Sequence, residues 1–345
     1  MNQTEVHRPK IADGIRYPWY YAIYLHTTAA VLRSIVSYIS GRHEGFDMDL
    51  VVETPGLGAG TAKISVCLPP AADDRESGTT PKPLLLVAEG GGFVLGQPKD
   101  GRHIDRMISD ETGAIVISVD YAKSPRYEYP HALLQLYEVL KWALSKEAQT
   151  KGIFVDPGRV AIMGNSAGGN LTAALTLLAS FTAGPCAKFR EDLGQQFRQV
   201  LQVLIYPSVR CNEPYALRWH EGDEKVREKS LPIWAASLME ASYLPPYVDK
   251  EQIFIAPLLA DTALLKQLTL PPAVILTAGL DCLKYEAHAY GEKLREAGVQ
   301  VSAKEYPKAI HGYSHYKKDN KDYRADDVED TWKRVCEGLK TAFQE

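Results

Sequence analysis

The stretch RVAIMGNSAGGN at residues 159–170 joins a short apolar run to a second one through a serine flanked by very small residues. Gly164, Asn165, Ser166, Ala167 and Gly168 have the form G-x-S-x-G. Read as buried strand, tight turn and helix, this spacing has a steric reason. The chain turns so sharply after the strand that the serine takes a strained backbone conformation, and only the smallest side chains fit two positions before and two after it. The hydroxyl is then held at the end of a sheet and at a helix N-terminus, whose dipole favours nearby negative charge. A turn that merely caps a helix needs neither flanking glycine, nor the following Gly169.

The rest of the chain supplies the sheet that such a turn requires. LLLVA (84–88), AIVISVD (114–120), RVAIMGN (159–165), QVLQVLIYP (199–207), PAVILTAG (272–279) and VQVSAKEYP (299–307) are short apolar or β-branched runs. Helical patterns near 101–112, 131–149, 167–181, 283–297 and 322–343 separate them. Continuous apolar runs with helical crossovers predict buried parallel strands covered on both faces. FDMDLVVET (46–54) and TAKISVCL (61–68), split by PGLGAG, predict an antiparallel hairpin at the start. AADDRESGTTPKP reads as a surface loop. Residues 209–250 break the rhythm with helical pieces and no strand of this type, so they are expected to form a cap or lid on a single domain spanning 1–345, together with an N-terminal segment over 1–45. Ligands of such sheets bind beyond the carboxyl ends of the strands.

A serine hydroxyl becomes nucleophilic when a histidine takes its proton, and a carboxylate fixes that histidine's tautomer. Asp281 directly follows PAVILTAGL and His311 follows VQVSAKEYPKAI, both at strand ends. Asp249 and Asp261 do not directly follow an apolar strand, and His315 lies one helical turn beyond His311 as a second candidate base or as half of an i, i+4 metal pair lacking a third ligand. His103, His131, His220 and His288 read as surface or supporting residues. After LLLVA come Glu89, Gly90, Gly91 and Gly92, a loop whose backbone N–H groups could approach an anion closely.

These motifs, in this order, resemble the hormone-sensitive-lipase-like carboxylesterases of the α/β-hydrolase fold. The family's HGGG corresponds to Glu89–Gly92, its GDSAGG to GNSAGGN at 164–170, and its DYRLAPE-like segment to DYAKSPRYEYP at 120–130. Its D-P-L corresponds to Asp281-Cys282-Leu283 and its H-G-F to His311-Gly312-Tyr313. The resemblance runs from about residue 50 to the C-terminus. It implies a Ser166–His311–Asp281 triad and an oxyanion hole built from the N–H groups of Gly91, Gly92 and Ala167, with no metal or organic cofactor.

Three positions depart from the family pattern. Asn165 replaces an aspartate, a change expected to alter local hydrogen bonds more than mechanism, and Cys282 replaces a proline in an expected packing role. Glu89 replaces a histidine. It is either a structural substitute that accepts backbone N–H bonds or a modulator of the chemistry, since an ionised carboxylate would oppose charge developing on an oxyanion.

The net charge of −4 with dispersed Lys and Arg speaks against nucleic acid as a partner. Five widely spaced cysteines outside any CxxC pattern speak against a disulfide framework. With no signal-peptide pattern in MNQTEVHRPK, a cytoplasmic location is expected. Residues 19–40 predict an amphipathic helix with Tyr20, Ile23, Tyr24, Leu32, Ile35, Val36 and Ile39 on one side. That side is expected on the protein's own core or pocket, with membrane-surface contact as the alternative; His26, Arg33 and the interspersed Ser and Thr disfavour a transmembrane span.

The leading expectation is therefore a serine hydrolase that cleaves a carboxylic ester or acyl group of a medium-sized, largely apolar small molecule. Its pocket is expected to use Trp19, Tyr20, Trp219 and Trp234. The alternatives are acyl transfer, elimination, cyclisation or C–C cleavage involving Glu89, and a ligand-binding protein on an inactive scaffold. Homodimer formation is left open.

Overall fold

A computed structural model describes residues 17–41, 45–70 and 80–344. The polar N-terminus, parts of the expected 1–45 segment and most of the 71–83 loop lie outside the described residues. In chain order the elements are α1 (Trp19–Ile39), β1 (Met48–Glu53), β2 (Thr61–Cys67), β3 (Lys82–Ala88), α2 (Pro98–Thr112) and β4 (Ile115–Asp120). Next come α3 (His131–Ala143), α4 (Lys146–Thr150), β5 (Val155–Asn165), α5 (Ala167–Leu178), α6 (Ala187–Glu191) and β6 (Gln199–Ile205). The insertion contains α7 (Tyr215–His220), α8 (Glu224–Lys229) and α9 (Ile233–Tyr243). The chain closes with α10 (Thr262–Gln267), β7 (Ala273–Ala278), α11 (Lys284–Glu296), β8 (Val301–Tyr306) and α12 (Ala325–Gln344).

The strands form one sheet in the order β1-β2-β4-β3-β5-β6-β7-β8. β1 with β2 and β2 with β4 pair antiparallel, and all later neighbours pair parallel. The apolar runs of the sequence occupy the middle, where Leu84 of β3 sits opposite Ile115 on one side and Val160 on the other. Alternate residues of β3 serve opposite faces. Leu84 and Leu86 pack with Leu133 of α3 and Leu171 of α5. Leu85 and Val87 pack with Ile108 of α2 and Leu339 of α12. Each fully buried leucine contributes roughly 1.5–3 kcal/mol, so the two faces anchor the strand ends that carry the chemistry.

Local signals explain the helix boundaries. α2 starts at Pro98, which lacks the N–H that would be unsatisfied there, and Asp100 Oδ2 accepts from Gln97 N at 2.9 Å. The helix expected over 131–149 is split, because Ser145 Oγ accepts from Ala148 N at 3.3 Å and caps a new helix, α4.

The expectation for the N-terminal helix is corrected. Within α1 only Leu25 and Ala29 are buried, and Arg33 points inward to donate from Nε to the Val94 carbonyl at 2.8 Å and from Nη2 to that of Ser124. Tyr20, Ile23, Tyr24, Ile35 and Ile39 are exposed. The inward stripe is narrow: Leu25 and Ala29 are buried where α1 touches α9, and Arg33 spends the rest of that side on loop carbonyls. By length and composition α1 is, among the described residues, the helix that could cross a membrane.

Candidate active site

The turn after β5 has the geometry that its glycines anticipate. Ser166 sits at φ 55° and ψ −119°, in a region that non-glycine residues seldom occupy. A Cβ on Gly164 would lie 2.2 Å from the Gly168 carbonyl oxygen, and one on Gly168 only 1.9 Å from that of Ala88. The turn is therefore closed to larger side chains at both positions. Ser166 N donates to the Ile205 carbonyl at 2.9 Å, which ties the turn to the neighbouring strand end.

Loops from three strand ends converge on this serine. His311 Nε2 is 2.9 Å from Ser166 Oγ, and His311 Nδ1 is 2.6 Å from Asp281 Oδ2. Asp281, after β7, is fully buried, and its Oδ1 accepts from Leu283 N at 3.2 Å. His311, after β8, keeps 10% of its side chain exposed, enough to face a ligand. Its backbone carbonyl accepts from Tyr316 OH at 3.1 Å, and the Tyr206 ring lies 4.9 Å from its imidazole. With Nδ1 donating to Asp281, Nε2 is left as an acceptor for the serine hydroxyl proton.

The glycine loop after β3 lies against the same turn. Gly90 N donates to Asn165 Oδ1 at 2.8 Å, so Asn165 pins the loop to the serine's own turn. Gly91 and Gly92 take φ of 126° and 60°, which favour glycine, and they line a cavity with Ser166, Ala167 and His311. The cavity measures about 290 Å³. Its roof comes from the insertion through Tyr215, Leu231, Ala236 and Met239. The expected aromatic lining is corrected: Trp19, Tyr20 and Trp234 are exposed, and Trp219 packs beside the cavity wall with Tyr215 and Leu231.

One end of the cavity is polar, which the sequence did not signal. Arg218, 2% exposed, donates from Nη1 to Glu286 Oε2 at 3.0 Å and to Ser208 Oγ at 3.2 Å, and from Nη2 to Glu240. Burial opposes its charge, but Glu286, Cys211 and Glu240 outweigh burial and raise its pKa. Glu286 Oε1 also accepts from Val209 N at 2.7 Å, so this ion pair ties the start of the insertion to α11 beside the Asp281 loop.

The remaining candidates fall elsewhere. Asp261 Oδ1 accepts from Leu264 N and caps α10, and Asp249 accepts from Glu251 N. His131 Nδ1 accepts from Gly58 N, and His288 lies 3.1 Å from Thr277 Oγ1. His103 is pushed down to about 4 by burial and by His315, Lys317 and Arg102. Cys282 is buried and its thiol is pushed up to about 11, chiefly by burial, so it is not a thiolate near neutral pH. None of the five cysteines forms a disulfide. Among the described residues no group of three or more His, Cys, Asp or Glu could hold a metal ion.

Glu89 does not line the cavity around Ser166. Its side chain, about 5% exposed, borders a separate small void under the glycine loop, where Oε2 lies 3.3 Å from His315 Nε2. His315, proposed from sequence as a rival base or metal ligand, is thus a neighbour of Glu89 while Ser166 and Asp281 take His311.

A family model described as "alpha/beta hydrolase fold" matches residues 85–315. An esterase named LipI from Mycobacterium tuberculosis is 29% identical over 273 residues, covering 78% of this chain and 75% of its own. Arylacetamide deacetylase from Oryctolagus cuniculus is 27% identical over 305 residues, covering 75% of each chain. Among solved structures, EstE1, described as a thermostable carboxylesterase cloned from a metagenomic library, superposes with a TM-score of 0.72 at 27% identity, over 92% of this chain and 98% of its own.

Proposed function

The chain belongs to the α/β-hydrolase fold family, in its hormone-sensitive-lipase-like carboxylesterase branch, and from that premise we propose that it hydrolyses a carboxylic ester of a compact, largely apolar small molecule through an acyl-enzyme on Ser166. The observation that carries the reading is the run of hydrogen bonds from Ser166 through His311 to Asp281 at the wall of a cavity of about 290 Å³.

In this reading Ser166 Oγ attacks the ester carbonyl as His311 Nε2 takes its proton, and Asp281 Oδ2 holds the imidazolium that forms. The carbonyl oxygen becomes an oxyanion facing the N–H groups of Gly91, Gly92 and Ala167, each donor contributing about 3 kcal/mol to the transition state. His311 then protonates the leaving alkoxide, and the alcohol departs. Water attacks the acyl-enzyme with His311 as base, and the acid leaves as Ser166 recovers its proton. The cavity volume lies at the small end of the range for small-molecule sites, which favours short acyl or alcohol groups. Its apolar roof suits a hydrocarbon or aromatic portion, and the Arg218–Glu240 end suits a substrate with one hydrogen-bonding substituent away from the ester.

A fluorophosphonate probe read by intact mass, alongside hydrolysis of p-nitrophenyl esters of increasing acyl length, tests the proposal. One adduct on the wild type, none on Ser166→Ala, and highest kcat/KM for short acyl chains are expected. A wild-type protein that neither labels nor turns over any ester of the series would overturn it.

A further inference from the structure

The groups around Glu89 form a buried assembly that the hydrolytic cycle does not use. His315 Nε2 faces Glu89 Oε2 at 3.3 Å, while its Nδ1 lies 2.9 Å from Ser314 Oγ and 3.3 Å from Tyr206 OH. Tyr206 OH and Ser314 Oγ are 2.6 Å apart, and Asn165 Nδ2 reaches Tyr206 OH at 3.5 Å. The His315 and Trp332 rings lie nearly perpendicular, with centroids 5.7 Å apart. On the other flank Tyr121 OH donates to the Glu89 carbonyl at 2.7 Å.

Two features show that the place is shaped for Glu89. Gly101 lies inside α2, where glycine costs about 1 kcal/mol relative to alanine, and a Cβ there would lie 2.0 Å from Glu89 Oε1. The helix thus carries a glycine where the carboxylate presses on it. The second feature is connectivity. Glu89 immediately precedes the Gly90–Gly92 loop, His315 follows His311 within the same turn region, and Asn165 adjoins Ser166. The glycine loop, the serine turn and the turn carrying His311 thus meet in one hydrogen-bonded group.

We propose that Glu89 and His315 are a positioning pair that clamps the oxyanion loop to the turn carrying His311, setting the spacing between the oxyanion donors and the base. The proposal rests on the hydrolase reading above. A carboxylate behind an oxyanion loop would by itself oppose the reaction. Here the imidazole offsets it: burial opposes a charge on His315, yet Glu89 more than compensates and the net shift is upward. The other ionisable groups facing the pair are Asp100, His103 and Asp105 of α2, Tyr121 and Tyr206. At the loop position where the resembled family has a histidine this chain has a carboxylate, and His315 supplies an imidazole from the neighbouring turn.

The test compares Glu89→Gln, His315→Gln, the double variant, the exchanged Glu89→His/His315→Glu variant and Gly101→Ala, using wild-type protein as reference. Each single substitution is expected to lower kcat for a p-nitrophenyl ester about 10- to 100-fold with KM changed less than about twofold, as small misplacements of reacting groups do. The double variant should lose no more than the worse single, and the exchanged variant should recover at least part of the loss. Gly101→Ala should also lower kcat, although alanine favours the helix. Unchanged kcat in the singles, or losses that multiply in the double, would overturn the positioning role while leaving Ser166 labelling intact. Failure of the wild type to label at Ser166 would instead overturn the hydrolase reading and the positioning role with it. A loss confined to melting temperature, with kcat preserved at a temperature where all variants are folded, also refutes the clamp.

Discussion

α1 and α5 are both apolar helices, and the protein treats them in opposite ways. Every residue of α5 is buried, whereas in α1 only Leu25 and Ala29 are. α5 begins at the serine turn and must lie against β5, because Gly164 and Gly168 bring the turn's backbone to contact distance and Gly169 lets the helix meet Pro207. No such steric link attaches α1 to a strand. Part of its inward side is spent on hydrogen bonds from Arg33 to loop carbonyls, and Tyr20, Ile23, Tyr24, Ile35, Tyr38 and Ile39 face outward. Apolar composition makes burial favourable, but a helix is buried only where the chain's path offers it an apolar partner surface.

The sharpest break of this contrast is at the start of α5. Ser166→Ala is expected to reduce kcat/KM for an ester by about 10⁴-fold or more with stability nearly unchanged, measured by hydrolysis and thermal melting on the same preparation. Further along α5, Leu171→Ala should cost about 2–5 kcal/mol in urea unfolding, because it opens a cavity between the helix and the sheet. A loss below 1 kcal/mol would mean that α5 packs far more loosely than its burial indicates.

Between these extremes lies Asp105, 1% exposed and buried beside Ser118 and Glu89. Burial, and then the charge of Glu89, raise its pKa well above 3.8. For a carboxylate raised in the folded state the penalty is absent below the unfolded value and grows as pH rises towards the folded one. Asp105→Asn should therefore gain stability relative to wild type over that window, with a slope of at most about 1.4 kcal/mol per pH unit. His315, also raised, acts in the same sense. Its stabilisation is fully present below 6.5 and is lost as pH rises through its folded value, so His315→Gln should cost more stability at pH 6 than at pH 9. Denaturation curves across pH check both signs.

The smallest effect belongs to α1. Ile23→Ser and Ile35→Ser should each change unfolding free energy by no more than about 0.5 kcal/mol, since both side chains are at least half exposed. Losses comparable to that of Leu171→Ala would show that this face is covered in solution.

The parts legible in the sequence were those with a local cause. The serine turn was visible because its strained backbone demands small residues at fixed offsets, and the parallel sheet was visible because strands buried on both faces read as unbroken apolar runs. Asp281 could be named because it directly follows an apolar run, and His311 because it comes shortly after the last strand and carries the resembled family's following glycine; hydrogen bonds at 2.6 and 2.9 Å join them to Ser166. The helix over 131–149 was overextended because Ser145 looks ordinary until its side chain is seen to cap α4. Trp19, Tyr20, Trp219 and Trp234 were misplaced because aromatic content does not say which side of a helix meets the cavity.

What the sequence determined by itself is the turn, the order of nucleophile, acid and base, and the glycine loop, all of which depend on neighbouring φ, ψ and side-chain volumes. Only the tertiary structure decided the partner of Glu89, the purpose of Gly101, the Arg218 ion pairs beneath the cap and the outward face of α1. Each of those depends on which distant segments the sheet order brings together, and the strength of a charge pair or an apolar contact depends on that surrounding far more than on the residues that make it.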